Sequence, residues 1–432
     1  MPTLNDELST QDAFLERYQQ VRGFTEELCE PLEKEDYVIQ SMPDVSPTKW
    51  HIGHTSWFFE TFVLAEAYPD YQPLHPQYAY LFNSYYVSVG QRHCRPKRGL
   101  LSRPTVKEVY DYRAHVDQHM LAFLDSMDDD QLANWSSVLD IGLHHEQQHQ
   151  ELMLTDIKHN LSINPLRPAY HSRPYTHSNG DGTLPLTWVS FDEGIHTVGH
   201  DGNGFAFDNE LPRHRIFVEP FELSSRLVTN GEFLAFLKDG GYQQHDLWLS
   251  EGFGWVQNQE WEAPLYWEEK DGEWWVQTLY GLQRVDLNEP VCHVSYYEAD
   301  AYARWADARL PTEFEWEIAA RSLTPGYQGN FADSRRFHPA TLNGDPPNGS
   351  LPQMYGDVWE WTSSHYSPYP GYQPAEGALG EYNGKFMANQ FVLRGGSCAT
   401  SQSHIRSSYR NFFPADASWQ FTGIRLARSL KV

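Results

Sequence analysis

The stretch HHEQQHQEL, His144 to Leu152, decides how the first third of this 432-residue chain is read. Its core, HEQQH, satisfies the H-E-x-x-H pattern of zinc peptidases. The other parts of that chemistry are missing from the sequence. A metzincin extension needs glycine three residues after the second histidine and a histidine three further on; those positions are Leu152 and Thr155. A thermolysin-like site needs a downstream glutamate as third ligand, and none occurs between Glu151 and Glu193. What survives is the spacing. Histidines four apart share one face of a helix and can chelate one ion.

Working outward, four segments carry apolar residues at three- and four-residue intervals: residues 10–32, 46–67, 105–127 and 130–161. Start signals precede three of them, at Ser46-Pro47, at Arg103-Pro104-Thr105 and at Asp128-Asp129-Asp130. Four amphipathic helices of this length predict a bundle. The irregular stretch between the second and third, residues 71–102, is long enough to expect a functional loop.

Beyond Asn160 the grammar changes. NPLRPAYHSRPYTHSNGDGTLP is rich in Pro, Gly and Ser and reads as a linker, which places a helical domain at 1–165, the linker at 166–186 and a second domain at 187–432. The second part is Gly- and Trp-rich, with strand-like runs LTWVSF, HRIFVEPFEL, QFVLRGGS and FTGIRLAR. It has two clear helices, in VTNGEFLAFLKDG and SYYEADAYARWADAR. The whole chain is therefore expected to be α+β in two domains.

Composition narrows the function. A net charge of −26 argues against nucleic acid or an anionic membrane as partner. No apolar run approaches the ~20 residues of a membrane span, and the polar N-terminus does not read as a signal peptide. Cys29, Cys94, Cys292 and Cys398 are far apart, with no C-x-x-C, as suits reduced thiols in a cytoplasm.

The second helical segment contributes His51 and His54 in HIGHT. One of these beside the pair on the fourth segment would make a three-imidazole face, and bundle cores commonly hold metals through facing helices. Neutral imidazoles suit Fe, Zn or Cu, and a site with open positions is catalytic rather than structural. Spacing alone does not choose between His51 and His54, or between His144 and His145. His93, His115, His119 and His159 read as surface or core residues.

The layout H-x-x-H-T in one helix and H-x-x-Q-H in another resembles the DinB-like iron bundle of the ergothioneine-pathway sulfoxide synthases. EPFELSSRLVTNGEFLAFL, VSYYEADAYARWADARLPTEFEWEIAAR, GDVWEW and VLRGGS resemble the formylglycine-generating-enzyme version of the C-type lectin fold. The resemblance spans nearly the whole chain. It implies a four-helix iron bundle followed by a lectin-like domain, with the site at their junction. Iron(II) would be held by His54, His145 and His149, with His51 and His144 outside the coordination sphere and Gln148 against a substrate imidazole. The stretch SSYRNFFPADASWQFTGIRLA has no cysteine where formylglycine enzymes carry their copper-binding pair, so sulfatase maturation is not expected. The tyrosine pair in YLFNSYY, Tyr85 and Tyr86, is similar to that of the acidobacterial type rather than the mycobacterial one.

The implied reaction joins a cysteine-type thiol to the imidazole of hercynine (trimethylhistidine), with reduction of dioxygen, and yields a sulfoxide. It needs a ferrous ion with three free positions. A phenol that transfers a proton or hydrogen would favour carbon–sulfur bonding over thiol oxidation, and Tyr85 and Tyr86 are the candidates. Aromatic faces suit a quaternary ammonium, which points to Phe412, Phe413 and Trp419 beside Asn411. Arginine suits the thiol's carboxylate. The loop QRHCRPKRGLLSR offers Arg92 and Arg95 first, then Arg98 and Arg103. LPTEFEWE and GDVWEW read as packing motifs. The rivals on the same scaffold are a selenoneine synthase using a selenosugar and an ovothiol-type enzyme using histidine. The latter usually carries a methyltransferase after the lectin-like domain, and this sequence ends at Val432. A rival of another class is a non-catalytic binding protein stabilised by its metal.

Overall fold

Four long helices form where the periodicity places them: α1 (Thr10–Glu27), α2 (Thr48–Phe59), α3 (Val106–Asp125) and α4 (Asp129–Ser162). The computed structural model describes residues 10–171, 184–323, 326–342, 344, 349–377, 380 and 383–430. Its contacts divide the chain between Asn160 and Leu161 into two compact units. Helix α3 starts at a reciprocal cap, in which Thr105 Oγ1 accepts from Glu108 N–H and the Glu108 carboxylate accepts from Thr105 N–H. Asp128 and Gln131 exchange the same two bonds ahead of α4. Such caps satisfy amide donors that the first turn leaves without partners.

Helix α2 differs from the amphipathic expectation: all twelve of its residues are buried. It packs against α3, and the chain then continues through a π-helical turn, Glu60–Leu64. Its polar side chains are accommodated individually. Lys49 Nζ donates to the carbonyls of Leu101 and Pro104, and Ser56 accepts from Arg22. Two glycines permit the close approach. A Cβ at Gly53 would lie 2.2 Å from the Phe82 ring, and one at Gly142 on α4 would lie 2.6 Å from Phe59. The segment 71–102 is less irregular than expected, because it holds a short helix at Tyr78–Phe82 and a 3-10 turn at Arg95–Leu100.

The second unit is built on small sheets. β1 (Trp188–Phe191), β4 (Phe221–Ser224) and β12 (Ala427–Ser429) form one, in the order β1-β4-β12. β8 (Trp359–His365), β9 (Phe391–Arg394), β10 (Asn411–Phe413) and β11 (Thr422–Gly423) form another, in the order β10-β9-β8-β11. β2 (Gly194–Val198) pairs with β3 (His214–Val218), and β5 (Trp267–Lys270), β6 (Glu273–Thr278) and β7 (Gly281–Arg284) make a meander. FTGIRLAR is not one strand: it is split between two sheets, with Arg425 buried between the halves against Glu360.

The expected helices are present as α5 (Asn230–Lys238) and α7 (Tyr296–Trp305). Two more, α6 (Ser250–Asn258) and α8 (Glu313–Leu323), were not legible as clear helices. Gly252 and Gly254 weaken the propensity of α6. The signal for α8 was a Thr312-x-x-Glu315 capping box, whose reciprocal bonds form. LPTEFEWE and GDVWEW build the core. Trp316, Trp359 and Trp361 are fully buried, Glu360 takes Trp316 Nε1–H and Arg425, and Glu313 takes Arg394 and Arg410.

Of the stretch expected to be a linker, residues 172–183 lie outside the described residues. Tyr170 is buried, and His171 donates its N–H to Leu279 O within the second unit. Among the described residues no helix is long and apolar enough to cross a membrane, and the four cysteines are free thiols.

Candidate metal centre

Helices α2 and α4 face each other through histidines. One ring nitrogen each of His54, His145 and His149 lies within 4.8 Å of the other two, and His54 Nε2 is 3.2 Å from His145 Nε2. Two imidazole nitrogens each ~2.0–2.1 Å from a shared first-row ion stand about 3 Å apart at ordinary ligand angles. The His54–His145 spacing therefore fits a common ion, and His149 lies near enough to be the third ligand.

The protons agree. His54 Nδ1 is 2.5 Å from the Phe82 carbonyl, which only a protonated Nδ1 can satisfy, so Nε2 carries a bare lone pair. The carbonyl comes from the loop between α2 and α3. Burial first, then the neighbouring His145, holds His54 well below the ordinary histidine range. Burial pushes His145 down to about 4, and burial with His145 and His54 lowers His149. All three are neutral at pH 7, the form that ligates a metal. Among the described residues, buried His145 Nδ1 has no hydrogen-bond partner.

The open alternatives separate by direction. His144 is turned about 100° around the helix from His145 and meets Arg17, with Nη2 3.0 Å from His144 Nε2. His51 lies behind His149, Nδ1 to Nδ1 at 2.8 Å, and its Nε2 is 3.0 Å from Asp156 Oδ2. Asp156 was missed in the sequence, although it follows His149 by two helical turns on the same face.

Glu146 explains why HEQQH is not a peptidase motif. Its carboxylate, fully buried, accepts from Arg22 Nη1 at 2.8 Å, Arg113 Nη2 at 2.9 Å and Thr25 Oγ1 at 2.6 Å. Burial alone would raise it, but Arg113 and Arg22 hold it down to about 2. It joins α4 to α1 and α3 and is occupied on both oxygens, so no general base remains. Glu146→Gln removes the charge that two buried guanidiniums face and should cost about 2 kcal/mol. Urea unfolding of the metal-free protein measures this; a loss below about 0.5 kcal/mol, the scale of a neutral surface change, would contradict it.

Aromatic rings enclose the cluster. Trp50 stacks on His54 at 4.6 Å and 14°, Trp57 stacks on it at 5.4 Å, and Phe58 lies 4.9 Å from His145. The stack extends both ways. Arg98 sits 3.3 Å over Trp50, and buried Tyr86 packs on Trp57 at 5.6 Å. Tyr85 is less buried, and its hydroxyl accepts from Arg95 Nη1 at 2.7 Å.

The arginines of the loop are held in different ways. Arg92 is exposed and donates to Ser84 O, while Arg95 is engaged with Tyr85 and with the Asp44 carbonyl. Arg98 is the buried one. It donates to Ser46 Oγ and Ser84 Oγ, and burial, with Arg95 nearby, pushes it down to about 9. No carboxylate bonds to it among the described residues. Gln148 is partly buried on the turn between His145 and His149.

In the second unit, Asn411, Phe412 and Phe413 form β10, an edge strand on β9. Phe412 stacks on Tyr366 at 4.0 Å, Phe413 meets Trp419 edge-on at 6.0 Å, and Asn411 Oδ1 accepts from Phe412 N–H.

Comparison with known proteins adds a framework to this geometry. Residues 17–153 match the DinB superfamily, and residues 183–430 match the sulfatase-modifying factor enzyme 1-like domain. A hercynine oxygenase of Mycolicibacterium smegmatis is 32% identical over 421 residues, covering 90% of this chain and 92% of its own. Ergothioneine biosynthesis protein 1 of Schizosaccharomyces pombe is 30% identical over 52% of this chain and 28% of its own. The formylglycine-generating enzyme of Streptomyces coelicolor is 33% identical over 52% of this chain and 83% of its own.

Proposed function

The chain belongs to the hercynine oxygenase family, and from that premise we propose an iron(II) enzyme that uses dioxygen to join a cysteine-type thiol to hercynine as a sulfoxide. The observation that carries the reading is the convergence of neutral His54, His145 and His149, with Nδ1 of His54 and of His149 engaged elsewhere. Iron(II) on three neutral ligands would supply open positions for a thiolate and dioxygen.

The chain's own residues supply the rest. Trp50, Trp57 and Phe58 surround His54 and His145 with apolar rings. Among the described residues Arg98 is a buried cation whose side chain donates to hydroxyls and to no carboxylate, which suits the carboxylate of the thiol substrate better than the engaged Arg95 or the exposed Arg92. Gln148 would orient the substrate imidazole. The rings of Phe412, Phe413 and Trp419, beside Asn411, would receive the trimethylammonium. Tyr85 and Tyr86 are the proton or hydrogen donors. Free thiols suit a reducing cytoplasm as the site of the reaction.

Anaerobic loading with Fe(II), then air with hercynine and a panel of thiols and selenols, tests the reading. We expect a hercynyl sulfoxide with a cysteine-type thiol. Product from a selenol alone would move the assignment to selenoneine synthesis, and turnover of histidine instead would move it to the ovothiol type. No oxygen uptake at full iron loading would overturn it.

A further inference from the structure

We infer that Asp156 acts on the metal centre through two rings, His51 and His149, as a positioning relay that strengthens His149 as a donor. The inference rests on His149 being a ligand, as proposed above. Three contacts define the relay. His149 Nδ1 is 2.8 Å from His51 Nδ1, His51 Nε2 is 3.0 Å from Asp156 Oδ2, and Ser46 N–H donates to that same oxygen at 2.8 Å. His51 and Asp156 are 3% and 4% exposed, so water screens little of the interaction.

Only one placement of protons satisfies two neutral rings here. If Nε2 of His149 faces the metal, its proton is on Nδ1 and is donated to His51 Nδ1. His51 then carries its own proton on Nε2 and donates it to the carboxylate. The reverse placement would set a bare His51 Nε2 against Asp156 and a proton where the metal should be. The arrangement thus points both hydrogen bonds toward Asp156 and draws positive character away from His149, which raises its basicity as a ligand. The other two histidines lack this support. His54 donates to a peptide carbonyl, and His145 Nδ1 has no partner among the described residues. The three ligands are chemically alike, and the protein makes one of them the strongest donor.

Ser46 fixes the far end. Its backbone N–H holds Asp156 while its Oγ accepts from Arg98, so both charged groups flanking the histidines are pinned by one residue at the start of α2.

The test separates charge from shape. In Asp156→Asn the side-chain oxygen can still accept from Ser46 and His51, so packing is retained and only the charge goes. We expect Fe(II) and Co(II) affinity, measured by chelator competition, to fall about tenfold. The ferric/ferrous midpoint potential should become more positive, with the metal-free unfolding curve unchanged. His51→Gln, which keeps Asp156 charged but interrupts transmission, should shift both readouts in the same direction. Unchanged affinity and potential in Asp156→Asn overturn the relay, as do unchanged values in His51→Gln if the first variant fails to fold. A wild-type chain that binds neither ion overturns the metal reading itself, and the relay with it.

Discussion

Replacing His145 with alanine should leave the protein folded and nearly free of iron. The cluster offers three ring nitrogens within 4.8 Å of one another, and among the described residues no carboxylate completes the group; His51, the nearest further imidazole, is engaged between His149 and Asp156. Removing groups that merely orient a ligand typically costs 10–100-fold in affinity, and losing the ligand itself should exceed the upper end of that range. His54→Ala and His149→Ala should behave alike. His144→Ala should bind iron stoichiometrically, because that ring is engaged with Arg17 on the far side. His51→Ala should also fill at excess Fe(II), with the weaker affinity expected of an interrupted relay. Metal content after anaerobic loading, with unfolding curves as a control, makes the comparison. Stoichiometric iron in His145→Ala would remove it from the coordination sphere and with it the three-histidine site.

The contrast among these histidines shows what sequence can carry. That His145 and His149 share a face follows from helical periodicity, which is local. Which of His51 and His54 turns to that face depends on neighbours distant in the chain: Asp156 behind His51, and the Phe82 carbonyl beside His54. Glu146 is the sharper case. Its partners Arg22 and Arg113 are 124 and 33 residues away, so a five-letter motif could not show that its glutamate was taken. The burial of Arg98 was hidden for the same reason, since Trp50 and Ser46, which pack on it and bond to it, are about fifty residues away in the chain. The buried polar face of α2 is illegible from pattern alone, because amphipathicity assumes one side in water. In the second unit LTWVSF and QFVLRGGS hold strands as read, whereas HRIFVEPFEL and FTGIRLAR are each divided between two sheets, the latter around the buried Arg425–Glu360 pair. The strands at Gly194–Val198 and in the meander from Trp267 to Arg284 were not read.

Tyr86→Phe should change the product more than it changes binding. Sulfoxide formation and simple oxidation of the thiol to a sulfinic acid begin from the same bound thiol and dioxygen. The outcome turns on whether a proton or hydrogen reaches the oxygen being reduced before sulfur captures it. A positioned phenol can make that transfer, and such groups typically contribute 10²–10⁴-fold to a step. The geometry ranks the two candidates. Tyr86 is buried and packs on Trp57, the ring that stacks on His54, whereas Tyr85 is more exposed and its oxygen accepts from Arg95. Phenylalanine at 86 keeps the ring between Trp57 and Phe62, so folding and metal loading should be preserved. We expect Tyr86→Phe to shift the sulfoxide-to-sulfinate ratio about 100-fold toward sulfinate, close to 2.7 kcal/mol at 1.36 kcal/mol per decade. Tyr85→Phe should shift it less, and the double variant should resemble Tyr86→Phe. Product analysis at matched iron loading decides among them. If rate and ratio are unchanged in all three variants, both tyrosines serve packing alone, and the proton must reach the site by another route.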